Sequence, residues 1–131
     1  MTSRLAAALA VVLPIAALLP LVAIPAAAQE AAEGERLFRA RCAACHAAGP
    51  GPVRIGPPLA GVVGRTAGSA EGARTSPALR QSGLVWSAQT LDAYLADPRR
   101  AVPGTTMTVA LRDAGERAAV VAYLAGLAAA D

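Results

Sequence analysis

The apolar positions of this chain fall into three patterns, and each predicts a different kind of segment. From Leu5 to Ile24 every residue is apolar, with no polar face. Beside a terminus such a run has nothing to bury it as a core helix. With Arg4 in front and the small-residue run Pro25-Ala26-Ala27-Ala28 behind, it reads as an export signal, residues 1–28, cut before Gln29. The stretch is also long enough to cross a bilayer as an uncleaved anchor, a role that Pro14, Pro20 and Pro25 fit poorly.

The second pattern is helical. Gly34, Leu37, Phe38 and Cys45 keep a helical period over Glu33 to Cys45. Ser76-Pro77 places a cap and a first-turn proline before a short helix that Gly83 closes. Ser87 caps a helix with Leu91, Tyr94 and Leu95 on one face, stopping before Pro98. Asp113 with Glu116 resembles a capping box for a last helix, whose stripe is Val120, Tyr123, Leu124 and Leu127. The third pattern is a Gly- and Pro-rich coil, Ala47 to Gly72, with no period. So long a loop is unusual in a compact domain unless it wraps something. Nothing alternates as a strand for more than a few residues, so residues 29–131 read as one small all-α domain.

Composition sharpens this picture at two points. Beyond the leader the only aromatics are Phe38, Trp86, Tyr94 and Tyr123, and a domain of this size struggles to bury enough surface on its own. A large flat apolar group would supply the missing core. The formal charge is +3, all twelve basic residues are arginine, and no basic run or aromatic-interleaved helix supports a nucleic-acid role.

The chemistry lies in Cys42-Ala43-Ala44-Cys45-His46. A C-x-x-C-H run is the site of covalent haem attachment. On a helix, i and i+3 share a face and i+4 lies beside them, so two thiols can add to the vinyl groups on one edge of a haem while the imidazole falls under the iron. A zinc site would need four ligands, and two Cys and one His are all the chain has of those types. A thioredoxin-like dithiol would want strands around it. Two exported cysteines would also tend to oxidise to each other, a fate that thioether attachment prevents. His46 is the only histidine, so a second iron ligand must be something else. Met107 is the only methionine after the leader and sits in the loop Val102-Pro103-Gly104-Thr105-Thr106-Met107. A thioether there is a soft ligand, and Met/His ligation raises the haem potential.

With these residues in view the chain resembles a class I c-type cytochrome, of the branch of mitochondrial cytochrome c and bacterial cytochrome c2. The resemblance runs from about Glu33 to Leu127 through Gly34, Phe38, the run Gly56-Pro57-Pro58-Leu59-Ala60-Gly61-Val62-Val63-Gly64-Arg65, Ser82 to Trp86, Thr90 to Leu95, Pro98, Pro103 to Met107 and Ala122-Tyr123-Leu124. It implies the cytochrome c fold, one covalently bound haem c, and an electron carrier rather than an enzyme. It implies that the Pro57 carbonyl fixes the His46 ring, that Arg65 and the Trp86 N–H lie near a haem propionate, and that the Tyr94 hydroxyl lies near the Met107 sulfur. Gly34 and Phe38 would meet Tyr123 where the first and last helices cross. Val109 and Thr75 stand where many members carry Phe and Tyr.

The implied setting is the periplasm. The implied partners are redox proteins such as a cytochrome bc1-type complex, a terminal oxidase, a photosynthetic reaction centre or a periplasmic dehydrogenase, served by a monomer. An electron-accepting dehydrogenase subunit, or a haem peroxidase or ligand-binding protein, are the alternatives; the last would need a vacant iron position. Arg39, Arg41, Arg99 and Arg100 are the candidate docking charges.

Overall fold

The computed structural model describes residues 23–49 and 54–128, so Arg4 and most of the apolar leader lie outside the described residues. Among the described residues five helices follow in order: α1 Ala26–Arg41, α2 Pro77–Gln81, α3 Ala88–Ala96, α4 Pro98–Ala101 and α5 Ala114–Ala125. Among the described residues there is no strand, only an isolated bridge between Thr66 and Val85.

The local chemistry explains the boundaries. The Ser76 hydroxyl accepts from the Leu79 N–H with Pro77 in the first turn, and Gly83 follows at φ +65°. Ser87 and Thr90 form a reciprocal capping box. Asp113 accepts from the Glu116 N–H, but Glu116 does not return the bond; its carboxylate reaches Arg41 instead. α4 carries no signal of its own in the hydrophobic pattern. Asp97 closes α3 and then caps α4 by accepting from the Arg100 N–H, so two helices abut at one residue and read as one helix and a proline stop. Leu127 also falls just outside α5, past the Gly126 cap.

α1 packs chiefly on α5, α5 on α3, and α3 on α4. At the first crossing a methyl on Gly34 would stand 1.9 Å from the Ala119 carbonyl oxygen, so only glycine allows the backbones this close. Phe38 and Tyr123 meet there with ring centroids 5.5 Å apart. Leu37, Phe38, Val120 and Leu124 are buried around them. Burying one such side chain is worth about 2 kcal/mol, whereas the half-exposed Arg41–Glu116 pair at 3.0 Å is worth about 0.5 kcal/mol. Packing holds the crossing, and the ion pair trims it.

Candidate functional site

The motif turn grows out of α1. The helix ends at Arg41, and Cys42 to Cys45 form one further tight turn, closed by Cys45 N–H to Cys42 O (3.0 Å) and His46 N–H to Cys42 O (2.9 Å). This corrects the expectation that the motif lies on the helix itself. The turn still sends both sulfurs and the imidazole to one place, because all three residues line the same cavity. Burial raises the pKa of the Cys42 thiol, which Arg41 partly offsets.

Next along the chain, the Gly- and Pro-rich coil returns beneath the motif. Gly56 N–H bonds the Cys45 carbonyl at 2.8 Å, and Leu59 N–H bonds that of Ala47 at 2.8 Å. Arg54 adds a side-chain bond to the Ala43 carbonyl. The coil thereby places Pro57 O 2.8 Å from His46 Nδ1. A carbonyl only accepts, so the proton sits on Nδ1 and the Nε2 lone pair is left for a metal. Gly56 is needed at this point: a methyl there would lie 2.4 Å from His46 Cε1. In the sequence Gly56 stands out only as part of the run Gly56 to Arg65, because nothing in a lone glycine shows what it would strike.

Met107 reaches the same cavity from the loop between α4 and α5, partly buried against the core. That loop is tied down along its length. Thr105 N–H bonds Val102 O, and Leu111 N–H bonds Leu95 O at 2.8 Å. Arg117, its side chain 14% exposed, pairs with Asp92 at 2.7 Å and donates to the Leu111 and Arg112 carbonyls. The resemblance puts the Tyr94 hydroxyl near the Met107 sulfur. Both residues line the cavity, and the hydroxyl pairs with that of Thr105 at 2.6 Å, both buried, so it acts on the loop two residues before Met107. Thr105 and Arg117 are the residues that sequence reasoning missed; their roles depend on partners distant in the chain. Burial raises the Tyr94 pKa, and the bond to Thr105 opposes this in part.

The remaining candidates, Pro57, Arg65 and Trp86, also line the cavity, which encloses about 340 Å³ and is walled largely by Leu, Val and aromatic side chains. Trp86 stacks edge-on against Tyr94, centroids 5.0 Å apart. Arg65 is half-buried and donates to the carbonyls of Pro58 (2.7 Å) and Ala60 (3.2 Å). Desolvation lowers its pKa. No carboxylate faces it: the four ion pairs among the described residues use Arg36, Arg39, Arg41 and Arg117. A charged donor turned towards an apolar cavity suits a flat apolar ligand that carries carboxylates at its edge. One imidazole lone pair and one thioether suit its iron, and two thiols suit its vinyl groups. The residues present fit a haem.

The docking arginines divide. Arg39 is paired with Glu35 at 2.5 Å and Arg41 with Glu116, whereas Arg99 and Arg100 are exposed on α4 with no ion pair among the described residues. Val109, also on the cavity rim, is 42% exposed.

Comparison with known proteins agrees with this geometry. A family model for cytochrome c matches residues 31–128. Cytochrome c2 of Blastochloris viridis is 40% identical over 102 residues, 76% of this chain and 80% of its own length. Cytochrome c of Chlamydomonas reinhardtii is 40% identical over 101 residues, 76% of this chain and 90% of its own. The solved structure of cytochrome cH from Methylobacterium extorquens superposes with a TM-score of 0.67 at 42% identity, covering 72% of this chain and 96% of that one. The chain therefore belongs to the cytochrome c family, as a class I c-type cytochrome of the all-α fold with one covalently bound haem c, an electron carrier and not an enzyme.

Proposed function

We propose that Cys42 and Cys45 hold the haem by thioether bonds and that His46 and Met107 are its two protein ligands. The carrying observation is that Cys42, Cys45, His46 and Met107 line one apolar cavity together with Pro57, Arg65, Trp86 and Tyr94, with the His46 tautomer fixed by Pro57. Held by His46 and Met107, the haem would supply a one-electron couple, and both protein ligands would be taken up in holding it rather than in bond making with a substrate. The chain does the rest. Pro57 orients the imidazole, Tyr94 and Thr105 hold the Met107 loop, and Arg65 with Trp86 meets the carboxylate edge. The leader supports export and work in the periplasm as residues 29–131, a monomer shuttling electrons between redox proteins such as a bc1-type complex, a terminal oxidase, a reaction centre or a dehydrogenase. Among the described residues no helix is long and apolar enough to cross a membrane. Arg99 and Arg100 would steer an acidic partner, more weakly as salt screens them.

Intact mass of the denatured protein tests the attachment. It should show one haem per chain, starting near Gln29, and acidified organic solvent should not remove it. Free haem together with two alkylatable thiols would overturn this reading.

A further inference from the structure

Among the described residues the cavity is lined by three arginines, Arg41, Arg65 and Arg74, and by no carboxylate. Its other titratable groups are Tyr94 and the three side chains of the motif. Arg41 already has Glu116 as a counter-ion. That leaves two guanidiniums with no ion pair among the described residues, and a haem brings two propionates. Arg65 works from the wall, half-buried and braced on the Pro58 and Ala60 carbonyls. Arg74 is exposed and lies on the segment Ala70 to Ser76 that edges the cavity. The backbone beside it is fixed by Arg80, which donates both to the Thr75 carbonyl and to its Oγ1 at 3.2 Å, and by Ser76, whose buried hydroxyl accepts from the Leu79 N–H at 3.2 Å. Thr75 and Arg74 both line the cavity, but the Thr75 hydroxyl is already bonded by Arg80.

We infer that Arg74 is the second counter-ion of the haem carboxylates, closing from the rim over the propionate that Arg65 does not reach. The inference rests on the haem reading above. The two pairs differ by burial. The Arg65 pair is sheltered and insensitive to salt, and the Arg74 pair is exposed and screened by it. A positive charge beside the haem also disfavours the more positive ferric state, so Arg74 holds the reduction potential up, most of all in dilute buffer.

The test compares Arg74→Gln, Arg74→Lys and Arg112→Gln in the holoprotein. The last removes one charge from an exposed side chain that does not line the cavity. Haem-methyl NMR shifts followed against pH report propionate protonation, and a redox titration reports potential. Arg74→Gln should raise the proton affinity of one propionate several-fold and lower the potential at low ionic strength, with the difference closing as salt is added. Arg74→Lys should restore most of both, and Arg112→Gln should change neither. Unchanged propionate titration and potential in Arg74→Gln, or equal changes in Arg112→Gln, would overturn the inference. Covalent haem and an unaltered optical spectrum in all three proteins keep that outcome separate from failure of the haem reading.

Discussion

The α1–α5 crossing and the cavity wrapped by residues 54–86 are built on opposite plans. At the crossing, protein meets protein: Gly34 lets two backbones touch, and Phe38 and Tyr123 close the gap. Around the cavity, long coil is held by scattered main-chain bonds, such as Gly64 N–H to Trp86 O and Ala67 N–H to Leu84 O. Its apolar side chains line a cavity that the haem fills in the proposed site. The first region closes on itself by packing, and the second leaves a ligand-sized space. Substitutions should therefore separate into those that cost stability and leave the haem signature alone, and those that alter the haem.

Gly34→Ala sets the upper end of the stability class. The added methyl cannot coexist with the Ala119 carbonyl at 1.9 Å, so the helices must part, at a cost of about 3 kcal/mol. Thermal unfolding should show this loss while optical spectrum and potential stay near those of the unaltered protein. A large spectral change would mean that the crossing and the cavity are one unit.

Gly56→Ala sharpens the contrast from the other side. Its methyl would press on the His46 ring, so the spectrum and potential should move, with a stability loss of about 2 kcal/mol. Melting without any change in the haem signature would show that the imidazole does not depend on this glycine.

Tyr94→Phe sits between the regions and should have the smallest effect, about 1 kcal/mol at neutral pH from one hydrogen bond. Its pH dependence is more telling. Burial holds the Tyr94 phenol above its ordinary pKa of 10.0, so folding favours the protonated form. That stability is fully present below pH 10 and is lost as pH rises through the raised value. Denaturant titrations above pH 10 should show a shallower decline in Tyr94→Phe; identical slopes would place the phenol in contact with water.

The same division explains what could be read from the chain. Helices α3 and α5 announced themselves because Ser87 and Asp113 cap them and their stripes are regular. α4 did not, since four residues carry no period and Asp97 serves two helices at once. The cavity residues were legible where the chemistry is scarce: one His, two Cys and one Met beyond the leader leave few assignments. What was hidden was pairing across the fold. That Tyr94 holds Thr105 and that Glu116 takes Arg41 depends on which loops lie together, and neither residue type betrays its partner in sequence.

Met107 is the proposed ligand that would complete the iron's coordination beside His46. The chain has one histidine, no lysine, and no other methionine beyond Met1, so it has little to offer in its place. The direct measurement is the far-red absorption of the ferric protein, compared with Met107→Ala. The unaltered protein should be low spin with the weak band of iron–thioether bonding. Met107→Ala should lose that band, fall in potential and bind cyanide readily. A band absent from the unaltered protein, or one that survives in Met107→Ala, would contradict the assignment.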